Sequence, residues 1–218
     1  DDMPFLVDSV SMVLGNLSCS LHTLVHPVMP VSRDAAGQLT AIDAGEKESL
    51  IYLEIDRQAN AEDMEKIRAG IANALSDVRE SVSDWRTMRD KMNAIAEEMA
   101  TRPMPATASQ RSEAQDFLRW AADDHFTFLG YREYEVSNID SQRMLAAIKG
   151  SGLGLMRGKD EDVQPRPLAG LAAADLPAGA TMEPLILTKT NARSTVHRSG
   201  YMDYIGILVF DESGKAIR

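Results

Sequence analysis

The sequence contains one cysteine, Cys19, among 218 residues, and only 6% aromatics. A lone thiol excludes an intrachain disulfide and a cysteine-based zinc site, and it fits a reducing, cytoplasmic setting. No apolar run approaches the roughly 18 residues of a membrane-spanning helix. Positive charge is in the minority too: 23 Lys and Arg face 33 Asp and Glu, a formal net charge of −10. Such a chain as a whole repels nucleic acid and anionic membrane, although a local basic patch could still hold a small anion. What remains is ordinary for a soluble globular protein, at 44% hydrophobic and 26% charged. The length suffices for one large core or two of about 100 residues each. The opening "DDMPFLVDSV" has no initiator Met and enters a helix almost at once. The closing "GILVFDESGKAIR" is a strand, a turn and the start of another strand. Both ends read as cut through structure, so a piece of a longer protein is expected.

A helix is predicted over about residues 4–17, with Asp2 as cap, Pro4 in the first turn and an apolar stripe of Leu6, Val10, Val13, Leu14 and Leu17. The β-prone run "CSLHTLVHPVMPVSRD" follows, turning at Asp34–Gly37, and "SLIYLEID" (49–56) makes a further strand. Helix and hairpin give half of an α/β sandwich whose first strand would precede Asp1.

Residues 61–100 carry the clearest pattern. Met64, Ile71, Val78, Trp85, Met92 and Met99 recur every seven residues; Ile67, Ala74, Met88 and Ile95 fill the interleaved register, where only Ser81 is polar. This predicts one long helix, or two end to end, of up to roughly 55–60 Å. Its second half must pack on something beyond a small sheet: a partner chain, another domain, or itself folded back. "TRPMPATASQ" reads as a linker. A helix is predicted from Ser112 to about Asp123 with Phe117, Leu118, Trp120 and Ala121 inward. Then come the strand "HFTFLGYREYEV", a short helix near 139–149, the glycine-rich "KGSGLGLMRG", a loop over 158–183, and three strands, "PLILTKT", "RSTVHR" and "YMDYIGILVF".

The chemical candidates are modest. Gly150, Gly152 and Gly154 could cradle a phosphate, but neither a preceding strand nor a following helix is predicted, so a glycine turn is the plainer reading. Asp123, Asp124 and His125 sit at a helix-to-strand junction. His22 and His26 on one strand would lie roughly 13 Å apart, too far for one metal ion. In "TKTNARSTVHRSGYMDYIG", Ser194, His197 and Asp203 suggest a triad. A strand would turn Ser194 and His197 to opposite faces, however, and there is no nucleophile elbow. Lys189, Arg193, His197 and Arg198 make a better anion-recognition group. At the other end, Asp2 and the first-helix N–H groups could hold the ammonium and carboxylate of an amino acid.

"DDMPFLVDSV", "ADDHFTFLGYREYEV", "SGLGLMRG" and "LTKTNARSTVHRSGYMDYIG" together resemble the N-terminal region of the large bacterial NAD-specific glutamate dehydrogenases. The resemblance implies a parent enzyme that oxidatively deaminates L-glutamate to 2-oxoglutarate and ammonia with NAD. It also implies a dehydrogenase domain far C-terminal to this segment, so that no catalytic residue or cofactor site lies here. That region is similar to ACT-type regulatory domains, whose D-x-P-G-L-L opening is matched by Asp2-Met3-Pro4-Phe5-Leu6-Val7, with Phe5 where glycine is usual. The expectation is an α+β chain of two sensory-type α/β sandwiches with antiparallel sheets, joined by a long helix. Residues 1–60 would be ACT-like, 61–100 the helix, 101–111 a linker, and 112–218 an ACT- or PAS-like domain incomplete at its C-terminal end. Asp2, Phe5, Leu6, Arg193, His197 and Arg198 are the candidate ligand-binding residues, with no metal site. The implied partners are an amino-acid effector, the parent's other domains and further copies of the chain, without nucleic acid or membrane.

Overall fold

The structure, a computed structural model, describes residues 2–140, 142–161, 163–168 and 180–218. The chain is α+β with antiparallel sheets, as expected. It forms two compact units, Asp1–Arg79 with Arg193–Gly200 and Glu80–Ala192 with Tyr201–Arg218. The expected linker therefore lies within the second unit, and the division falls inside a helix.

In the first unit α1 (Leu6–Asn16) buries Leu6, Ser9, Val10 and Leu14. The β-prone run breaks at Pro27 into β1 (Leu21–Val25) and β2 (Val28–Arg33), which join different sheets. β1 pairs with β5 (Tyr52–Ile55); β2 lies between β3 (Leu39–Ile42) and β4 (Glu46–Ser49). β3 and β4 have exposed or half-exposed side chains throughout, so no apolar alternation announces them in the sequence. The turn at Asp34–Gly37 forms as predicted: the Asp34 carboxylate accepts the Ala36 and Gln38 N–H groups, and Gly37 adopts φ 80°. Leu14, Cys19 and Ile67 form the core, closed by Leu21, Leu53, Ile55 and Ile71. α2 (Ala61–Glu98), one unbroken helix of 38 residues, supplies Ile67 and Ile71. Gly70 brings it close to α1, since a Cβ there would stand 2.8 Å from Val13.

In the second unit the later part of α2 packs on the chain's own elements. Ala96 and Met99 meet Ala114 and Leu118 of α3 (Ala108–Trp120). Both registers reach the core: Ala74, Ser81 and Met88 of the interleaved one and Val78 and Met99 of the other are covered, while Met64 and Trp85 are exposed. Ser81 is tolerated there because its hydroxyl donates to the Leu129 carbonyl. α3 begins earlier than predicted, at Thr107, whose side chain and that of Gln110 form a capping box. It runs into a π-turn at Ala121–His125, which leaves Trp120 46% exposed and not inward. The predicted strand 125–136 is two strands in different sheets, β6 (Gly130–Tyr131) and β7 (Tyr134–Ile139). The predicted helix at 139–149 is instead β8 (Gln142–Ala147), paired antiparallel with β7 from Tyr134↔Ala147 to Ile139↔Gln142. Met, Leu and Ala favour helix, but pairing with β7 overrides that preference. β9 (Leu153–Gly154) pairs with β6, and β10 (Arg166–Pro167) with β8. Much of the predicted 158–183 loop lies outside the described residues. β11 (Leu185–Arg193) pairs with β12 (Tyr201–Ile207), and Leu208, Phe210 and Ala216 close a second core with Leu168 and Met182.

The glycine-rich stretch is a tight turn around carboxylates of its own chain. Asp84 of α2, 4% exposed, accepts the Gly154 N–H at 2.7 Å and pairs with the Arg157 guanidinium. Asp160 accepts from Arg132 Nε at 2.7 Å and from the N–H groups of Gly150 and Gly152. A Cβ on Gly152 would stand 2.2 Å from the Met156 carbonyl, and one on Gly154 2.3 Å from that of Leu129. The glycines thus serve close backbone approach. Burial alone would push the Asp160 carboxyl up; the Gly152 and Gly150 N–H groups and the Arg132 guanidinium outweigh it and hold it below the usual carboxylate value.

Two predictions follow from these charges. Asp84→Ala leaves the buried Gly154 N–H without its acceptor, while the half-exposed Arg157 keeps water and Glu80, and should cost about 1–3 kcal/mol, measured by urea unfolding. A lowered folded-state value means that Asp160 contributes stability above its unfolded value of about 3.9, lost as pH falls through the folded one. Tryptophan fluorescence should therefore show acid unfolding below about pH 4 that is shallower in Asp160→Asn.

Candidate functional site

The first turn of α1 is unusual because of what begins it. Phe5 is the N-cap residue at φ 71°, ψ 2°, and among the described residues no side-chain cap hydrogen bond is made at the helix start. A left-handed conformation costs a non-glycine residue about 1–2 kcal/mol, and for a bulky aromatic it is an outlier. Asp2 is therefore not the cap expected of it: its carboxylate accepts from Ser49 Oγ at 2.7 Å, and Ser49 Oγ lies 3.1 Å from His26 Nε2. The glycine usual at the position of Phe5 has a backbone reason here, since glycine adopts this conformation freely.

Residues 194–200 join β11 to β12 and count with the first unit. The predicted strand "RSTVHR" is overturned: β11 ends at Arg193 and the following residues bend. Ser194 causes this locally. Its hydroxyl donates to the Val196 carbonyl at 2.6 Å and accepts the Val196 N–H, while its own N–H reaches the Gly200 carbonyl. Val196 is almost wholly buried. Thr195 Oγ1 donates to Asp77 at 2.6 Å.

This folding delivers His197 to α1. His197 also adopts φ 71°, its N–H donates to Ser9 Oγ at 3.1 Å, and its ring lies 4.8 Å from that of Phe5. Ser9 is fully buried. Nδ1 of His197 is buried without a hydrogen-bond partner among the described residues, 3.6 Å from the Asp8 carboxylate. Two stretches read separately in the sequence, 188 positions apart at Ser9 and His197, therefore make one constellation.

Of the six candidate residues, Phe5 and His197 touch, and Leu6 is buried in the same turn of α1. Asp2 is engaged by Ser49; Arg193 ends β11; Arg198 is exposed in the loop. Lys189 is paired with Asp203 at 2.5 Å. Ser194, His197 and Asp203 therefore each answer a different partner, and no hydrogen bond among the described residues joins them into a triad. His22 and His26 likewise diverge, to Asp56 and Ser49. No cluster of three or more metal-ligating side chains occurs among the described residues. Sequence reasoning missed Asp8 and Ser9. Ser9 carried a signal, as a polar residue on the apolar stripe between Leu6 and Val10.

The comparisons bear out the resemblance. Residues 1–71 match the family described as glutamate dehydrogenase, ACT1 domain. The whole chain is similar to the N-terminal region of NAD-specific glutamate dehydrogenases. It is 35% identical over 225 residues to that of Halomonas elongata and 36% identical over 231 to that of Pseudomonas aeruginosa, covering 100% of this chain in both. A Mycobacterium tuberculosis protein of the same name is 23% identical over 162 residues, 71% of this chain and 10% of the relative. The chain spans about one seventh (14%) of the length of the first two relatives. No solved structure matches it.

The strain at Phe5 can be separated from its ring contact. Phe5→Ala loses the ring and keeps the left-handed cost; Phe5→Gly loses the ring and that cost together. Phe5→Gly should be the more stable of the two by about 1 kcal/mol in urea unfolding.

Proposed function

We propose that this chain is the N-terminal regulatory and assembly segment of an NAD-dependent glutamate dehydrogenase. The parent enzyme oxidatively deaminates L-glutamate to 2-oxoglutarate and ammonia, and NAD binds to its other domains. The segment itself takes no part in the chemistry. The observation that supports this reading is similarity along the full chain to relatives of which it covers only 14%. The segment works in the cytoplasm within a homo-oligomer, through contacts with the remaining domains of the parent and with an amino-acid effector.

The effector would lie at the first turn of α1, with Asp2, Phe5, Leu6, Arg193, His197 and Arg198 as the residues around it. A helix start without a side-chain cap has N–H groups to offer a carboxylate, which favours this placement. The same observation supports a second reading, in which residues 1–60, completed by the helix over 61–100, are an autonomous amino-acid sensor; the linker 101–111 would then lead to a second sensory domain over 112–218. A hydrolase built on residues 188–206 finds no support, because the Ser194 hydroxyl is given to a carbonyl.

The isolated chain should give no glutamate-dependent NAD reduction at 340 nm, while a chain extended to the length of the relatives should. Activity of the isolated chain would overturn the regulatory reading. Thermal unfolding with each of the twenty amino acids at millimolar concentration should show a raised Tm for a small subset, and a flat response would leave assembly as the segment's role.

A further inference from the structure

We propose that residues 194–200 are a strap over the first turn of α1, with His197 occupying the approach to that turn as a built-in stand-in for a ligand. The proposal rests on reading that turn as a ligand site, and it adds how access to the site is controlled. Three contacts hold the strap down: the His197 N–H on Ser9 Oγ, the His197 ring on Phe5, and the Thr195 hydroxyl on Asp77. Val196, buried between the second and third of these in sequence, anchors it.

The chemistry His197 presents is that of an incoming polar ligand. It brings an N–H to the buried Ser9 hydroxyl, a flat ring to Phe5, and a nitrogen facing the Asp8 carboxylate at 3.6 Å. That nitrogen is left without a hydrogen bond among the described residues, so the closed arrangement is incomplete where a ligand could do better. Both residues of the ring contact have positive φ, a conformation that persists in non-glycine residues only while surrounding contacts enforce it. Opening the strap releases the backbone at His197, whereas closing it requires the strained form. The strap is thus a displaceable cover, and a ligand for the α1 turn must compete with the chain's own histidine.

Arg193 and Arg198 make the opening measurable, since trypsin cleaves after both and needs the strap lifted to do so. His197→Gly removes the ring and suits φ 71°, so the loop can still form. In the 218-residue chain this variant should be cut at these two arginines about tenfold faster or more, read by mass spectrometry at native circular dichroism. Thr195→Val, which loses only the bond to Asp77, should show a smaller increase and serves if the glycine variant fails to fold. Unchanged cleavage in the folded variants overturns the strap. Each protein is then titrated with the twenty amino acids by thermal shift. Tighter binding by His197→Gly, by about tenfold, supports the strap over a working site. Binding equal to wild type overturns the occlusion. Faster cleavage with no amino acid bound by either protein supports the strap and removes the effector reading.

Discussion

A buried negative charge must be answered wherever it is placed, and Asp84 and Asp160 decide where much of the second unit's chain can run. Both are almost wholly covered. Each is met by an arginine and by backbone N–H groups, from Gly154 in one case and from Gly150 and Gly152 in the other. Backbone donors can reach a carboxylate only if the chain coils closely around it, and only glycine fits where the turn meets its own carbonyls. The glycine-rich stretch thus owes its composition to internal carboxylates, and the same arrangement fastens β9 to α2 through Asp84. Donors that resemble a phosphate cradle in sequence are already occupied.

The first unit applies the opposite economy. Its helix α1 starts without a cap, on a residue in an unfavourable backbone conformation, and a distant loop supplies the missing contacts. Ser9 and Asp8, within the first two turns, receive His197, and Phe5 receives its ring.

The sequence revealed elements in proportion to how far their local pattern decided them. The unbroken α2 was readable because apolar residues at three- and four-residue spacing run through it, and the polar Ser81 in its buried register is explained by one hydrogen bond. The turns at Asp34 and Asp211 were readable because an aspartate side chain and a following glycine specify them locally. β8 was not, because "RMLAA" prefers helix in isolation and becomes a strand only beside β7. β3 and β4 were hidden for want of buried side chains. The site was half legible: the two stretches were singled out by residue type, but their meeting depends on the bend that Ser194 imposes, which a strand reading of 193–198 could not foresee.

The short chain of groups from His26 through Ser49 to Asp2 has a consequence for reactivity. A carboxylate can only accept, so the Ser49 proton points at Asp2, and the serine oxygen is left as acceptor toward His26. The Nε2 of His26 must therefore carry a hydrogen, which fixes the tautomer of the neutral ring and leaves Nδ1 bearing the lone pair. A serine, a histidine and an aspartate thus stand in sequence, but the proton gradient among them runs away from the histidine. Among the described residues, Ser49 has no base to take its proton except the Asp2 carboxylate that already accepts its hydrogen bond, and the trio orders the polypeptide around α1 instead of activating a nucleophile.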